Sequence, residues 1–175
     1  SASGGKITKG LLIGDLDLNG IENGSEHAFF ISTSDAFTLL NANTKQVQNA
    51  EYQEGRALVA TWLNYLAGNP IEAGDPTKVD AKDAIQWGVD WLLKTTKQTL
   101  GSITLADMHG NAVAQSAAAW NVGIHGPDAG TAATVYANVP QYNPAIDIPG
   151  GVQILGVLDE YNNHGTVYGT AIATA

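Results

Sequence analysis

Apolar residues recur at helical spacing in four stretches of the chain, and these set the expected architecture. From about Glu51 to Ala67, the residues Leu58, Val59, Trp62, Leu63 and Leu66 form one stripe, ended by Gly68-Asn69-Pro70. A second helix is predicted from Asp80, which stands as a cap with Asp83 three residues on. Its apolar face is Ala84, Trp87, Trp91 and Leu92. Ser32 precedes Asp35 by the same interval, and Ala36, Phe37, Leu39 and Leu40 follow before Asn41 to Asn43 end that element. A last helix is expected from Gly150 to Tyr161, with Val152, Leu155 and Leu158 on one face, closed by Asn162-Asn163-His164-Gly165.

Between these stretches the pattern is weaker. Residues 6–14 contain two glycines and read as a short extended segment, and Ala28 to Ile31 form an apolar step. Residues 102–108 read as a strand, the alanine-rich Asn111 to Trp120 as a helix, and His125 to Asp128 as a turn. The small, uncharged tail from Thr166 to Ala175 suits a strand or a mobile end. The expected fold class is therefore mainly α: a small helical domain with little β-structure. The expected organisation is a flexible leader over 1–10 and one domain over 11–175.

Composition narrows the function classes. The chain has 175 residues, 44% of them hydrophobic, enough for one ordinary core. Only 14% are charged, against roughly 25% in an average soluble domain. The surface must then be rich in neutral polar residues, which suits a secreted or cell-surface protein. Seventeen acidic and eight basic residues give a formal charge of −9, with no cluster of Lys and Arg. Nucleic acid is not an expected partner, anionic membranes are disfavoured, and cations are favoured. The absence of cysteine removes disulfides, thiolate nucleophiles and zinc–thiolate sites. No apolar run approaches the roughly 20 residues of a membrane span.

One stretch carries specific chemistry. Asp15, Asp17 and Asn19 place oxygen-bearing side chains at every second position, Gly20 follows, and Glu26 stands twelfth. A loop that wraps a hard cation such as Ca²⁺ needs this order: a tightly curled backbone turns alternate side chains inward, and the sharp turn after the third ligand strains any residue with a Cβ. Ile21 would contribute its backbone carbonyl, Asn23 lies where a water often intervenes, and Glu26 would close the sphere with both oxygens. The alternative is a solvated acidic turn, since Asp, Asn and Gly form turns readily. The pattern departs from a paired-helix EF-hand in two ways. No helix precedes the loop, and the apolar residue usual at the eighth position is the seventh, Ile21, with Glu22 eighth.

A calcium loop followed by one helix resembles the dockerin-type, EF-hand-like modules of bacterial extracellular proteins, over residues of about 11–95. Ile31-Ser32-Thr33-Ser34-Asp35-Ala36-Phe37 is similar to the start of that family's exiting helix, and Val79 to Trp87 repeats the pattern. The resemblance implies a twelfth ligand at the helix start, which makes Asp35 the rival of Glu26 for closing the loop. It implies Ca²⁺ as cofactor and one or two calcium loops, while the family's partner binding is not carried over to this chain. The second loop offers Glu72, Gly74 and Pro76 where ligands should stand, leaving Asp75, Asp80 or Asp83 for a partial site.

The resulting expectation is a non-catalytic, calcium-stabilised interaction module, partnered by another extracellular protein or a polysaccharide. Two alternatives come from other classes. One is a calcium-dependent hydrolase, or a module that cleaves itself at Asp75-Pro76. The other is a carbohydrate-binding module using Trp87 and Trp91, which are four residues apart on one helical face. The four histidines, at 27, 109, 125 and 164, lack the close spacing of a zinc helix. No nucleophile elbow, phosphate loop or dinucleotide fingerprint is present.

Overall fold

A computed structural model describes residues 9–20, 28–73, 79–98, 101–124 and 148–167. The chain opens with strand β1 (Gly10–Ile13), and β2 (Phe29–Ser32) pairs with it antiparallel, Ile13 facing Phe29 and Gly10 facing Ser32. Helices α1 (Thr33–Leu40), α2 (Ala50–Leu66) and α3 (Ala81–Thr95) follow, with a single 3-10 turn at Gln46–Gln48 before α2. Next come β3 (Gly101–Ser102), α4 (Leu105–Gly110), α5 (Ala118–Asn121), β4 (Gly123–Ile124), β5 (Ile148–Pro149) and α6 (Gly151–His164). The first sheet has the order β1-β2-β3, with β3 parallel to β2, and the second is the antiparallel pair β4-β5.

Among the described residues helix takes 55% and strand 14%, in two small sheets, so the fold is mixed α/β and not mainly α. The reason lies on both sides of the acidic loop. Phe29 to Ser32 alternates, with Phe29 and Ile31 in the core and Phe30 and Ser32 more exposed, and this is strand periodicity. The strand partner is the extended segment before the loop, so the loop joins two paired strands instead of leading directly into a helix.

Local capping explains the helix starts. Ser32 Oγ accepts the Asp35 amide at 3.1 Å to begin α1. Asp80 and Asp83 form a reciprocal capping box at α3, and Thr104 with Asp107 does the same at α4. α6 ends at Gly165, whose φ of +66° admits the left-handed cap. The core is packed around α2, which contacts α1, α3 and α6. Leu58, Trp62, Ile85, Trp91, Leu92, Ile154 and Leu158 fill it, with Phe29 and Ile31 from the first sheet. Gly88 lets α3 approach α2: a Cβ there would stand 2.9 Å from the Leu58 side chain.

Several expected details differ. Leu63 and Leu66 are exposed, as is Val152 on α6. Residues 105–110 are helix where a strand was expected, because Thr104 and Asp107 cap them. Of the alanine-rich stretch only residues 118–120 are helical, in the four-residue α5, because its alanines carry propensity without an apolar stripe to dock.

Candidate functional site

The acidic loop leaves the end of β1 through Gly14, whose φ is +102°. Asp15 is nearly buried, at 4% exposure, and its carboxylate holds the turn from inside. Its Oδ1 accepts the Asn19 amide at 3.2 Å, and its Oδ2 accepts the Gly20 amide at 2.8 Å. Asp17 Oδ1 accepts the Asn19 amide as well, at 3.0 Å, while Asp17 Oδ2 accepts Asn19 Nδ2 at 2.7 Å. The structure thus brings Asp15, Asp17 and Asn19 together.

The backbone is bent where the spacing requires it. Gly20 has φ +77° with nothing within 4 Å of a hypothetical Cβ, so its glycine is demanded by conformation and not by crowding. Leu18 adopts φ +56°, a left-handed conformation that a branched side chain takes only at a cost. A link absent from the motif anchors the loop to the helical layer: the Tyr65 hydroxyl of α2 donates to the Leu16 carbonyl at 2.7 Å. Beside it lies a cleft of about 350 Å³ lined by Leu16, Tyr65, Pro70, Ile71, Glu72 and Lys82.

The donors fit a hard cation. All are oxygens, and each carboxylate oxygen that accepts one amide retains a further lone pair. Asp15 is withdrawn from water, and among the described residues no Lys, Arg or His pairs with it. Ile21 and Glu26 lie outside the described residues. Asp35 is described and is placed elsewhere: its Oδ2 accepts the Leu105 amide at 3.2 Å, at the first turn of α4. Among the described residues no three Asp, Glu, His or Cys side chains form a metal-holding group, so Asp35 is not gathered with Asp15 and Asp17.

At the second loop, Asp75 lies outside the described residues, and Asp80 and Asp83 are engaged in their capping box, Asp80 Oδ2 also accepting the Ala73 amide. The Asp75-Pro76 bond is likewise outside them. Trp91 is fully buried, its Nε1 donating to the Ala119 carbonyl at 2.8 Å and its ring meeting Trp120 edge-on at 5.6 Å. It therefore offers no face to a sugar, and the Trp87–Trp91 pair is not a surface platform. His109 and His164 are described, and His164 pairs with Glu160 one turn earlier on α6.

The motif reading missed two core carboxyls, Glu51 and Glu54 on α2, both fully buried. Burial pushes Glu51 up to about 8, opposed by its hydrogen bonds to Thr95 and Asn49. Burial also drives Glu54 well above the usual carboxylate range, helped by the charge of Asp159. A signal existed: stepping back from Leu58 by four and by seven residues reaches Glu54 and Glu51, on the same apolar side of the helix. No helix of the described residues is long and apolar enough to cross a membrane. No family model, curated protein or solved structure matches the chain.

Proposed function

We propose that the chain is a non-catalytic, calcium-stabilised interaction module that works outside the cell or at its surface. The observation that carries this reading is the turn at 15–20. A buried Asp15 carboxylate fixed by the amides of Asn19 and Gly20 sits beside Asp17 and Asn19, on a backbone bent through Gly20. Asp15, Asp17 and Asn19 would hold the ion with side-chain oxygens, Ile21 with its carbonyl, and Glu26 would complete the set. The bound ion would supply positive charge where carboxylates crowd.

Its effect is on folding. An ion that binds only the folded chain stabilises it by RT ln(1+[Ca²⁺]/Kd), about 2.7 kcal/mol at a hundredfold excess over Kd. Because Leu16 is bonded to Tyr65, ordering the loop also fixes the end of α2 and the cleft beside it. A weak site of this kind fills only where calcium is abundant, which favours an extracellular location. The dockerin-type likeness is proposed for the loop alone; the following strand β2 has no place in a loop-then-helix unit.

The test is calorimetric titration of calcium into the protein, with thermal melts in calcium and in chelator. One site is expected, with a melting temperature that rises with calcium. Asp15→Ala and Asp17→Ala should abolish both responses, and Glu160→Ala on α6 should leave them intact. No heat of binding in the parent protein would overturn the reading.

A further inference from the structure

α2 is the helix against which α1, α3 and α6 pack, and it carries two glutamates one turn apart inside the core. Glu51 turns toward α3, where Thr95 Oγ1 stands 2.9 Å from Glu51 Oε2. Glu54 lies on the face that carries Ala57 and Thr61, and these meet Asn162 of α6: the Thr61 hydroxyl donates to Asn162 Oδ1, and Asn162 Nδ2 donates to the Ala57 carbonyl. Among the described residues Glu51 Oε1 and both carboxyl oxygens of Glu54 have no hydrogen-bond partner. A charge left bare in such a site is far costlier than a neutral acid. No three acidic or histidine side chains gather there among the described residues.

Among the described residues no cation acts on either carboxyl group. The charges that act on the pair are both acidic, Asp107 on Glu51 and Asp159 of α6 on Glu54. Arg56 acts on Asp159, opposing the effect of burial there. α1 brings only Asp35, which acts on Tyr52. α3 carries Lys82, Asp83, Asp90 and Lys94 but turns the Thr95 hydroxyl toward Glu51. α6 adds Glu160 and His164, which pair with each other. β1 and the turn at Gln46–Gln48 have no charged residue.

We propose that Glu51 and Glu54 form a proton-operated latch: as neutral acids they let α2 seat against α3 and α6, and loss of their protons unseats both helices. Thr95 suits this role, because its Oγ1 also lies 3.4 Å from the Leu92 carbonyl. A neutral Glu51 can donate to that hydroxyl, which then turns its own proton to Leu92. The sign follows from burial. Both acids ionise less readily in the folded chain than in the unfolded one, so their stabilising effect is full below about pH 4.5 and is lost as pH rises, through about 8 for Glu51. The folded state is tightest in mild acid and loosens in alkali.

Thermal melts from about pH 5 to about pH 9, in 0.5 M salt to screen surface repulsion, test the latch. The parent protein should lose on the order of 10 °C across that range. Hydrogen exchange corrected for its intrinsic pH dependence should show α3 and α6 deprotecting first. Glu54→Gln and Glu51→Gln should each flatten the slope, and the pair together should nearly remove it. Glu54→Met, which carries no group to ionise, gives the same readout if a buried amide proves too disruptive, and Glu160→Gln should keep the parental slope. A flat melting temperature in the parent, or an undiminished fall in Glu54→Gln and Glu54→Met alike, would overturn the proposal.

Discussion

Leu18 is the most strained residue of the acidic loop: it sits at φ +56° with its side chain 55% exposed, so burial does not repay the conformation. A left-handed residue with a Cβ costs about 1–2 kcal/mol, and a glycine there gives back about 0.5–1 through the freer unfolded chain. Leu18→Gly should therefore stabilise the protein by up to about 1 kcal/mol, read as a higher urea midpoint at unchanged slope. Gly20→Ala is the converse, placing a Cβ at φ +77° in open space, and should cost about 1–2 kcal/mol from conformation alone. The two changes separate loop geometry from ligand chemistry, since neither removes an oxygen. How the sequence discloses the loop is also a matter of single residues. Asp15, Asp17, Asn19 and Gly20 are legible because a six-residue turn is determined by its own hydrogen bonds. The Tyr65–Leu16 bond is not, because it joins residues 49 positions apart and no local pattern encodes the meeting.

At the scale of elements, the helices could be read from the chain because caps are local. Ser32, Asp80 and Asp83 announce their helices within one turn. The sheet could not be, since Phe29 to Ser32 is only four residues long and its partner lies across the whole acidic loop. That hidden strand also changes the role of Asp35, which stands at the start of α1 and yet reaches the first amide of α4. Asp35 then belongs to the contact between α1 and α4 and is not gathered with the acidic loop. Asp35→Ala should cost about 1 kcal/mol with or without calcium, while calorimetry returns an unchanged calcium affinity. Glu26→Gln should do the opposite, sparing the calcium-free stability and weakening binding. A loss of affinity confined to the Asp35 variant would assign that residue to the ion and return the loop to the dockerin-type arrangement. Asp80→Ala removes one half of a capping box and should likewise destabilise α3 by about 1 kcal/mol, without touching calcium.

For the whole molecule, the formal charge of −9 makes calcium ambiguous, because any cation relieves the repulsion of a strongly acidic chain. Screening and site binding differ in form. Screening depends on ionic strength, saturates as the Debye length shrinks to about 8 Å at 0.15 M salt, and does not distinguish calcium from magnesium at equal strength. Binding at one site raises the unfolding free energy by RT ln(1+[Ca²⁺]/Kd), a slope of about 1.4 kcal/mol per tenfold rise in calcium once the site is nearly full. Two independent sites would double that slope. Urea unfolding at stepped calcium, in constant 0.15 M sodium chloride, therefore counts the ions that the fold depends on. One loop predicts the single slope, and magnesium should give a much shallower one, because it dehydrates reluctantly and demands a tighter octahedron than a flexible turn offers. A doubled slope would mean that the segment around Asp75 also takes an ion. A slope equal for the two metals would mean that the molecule answers to charge alone, and Asp15 and its neighbours would then be the inside of an ordinary turn.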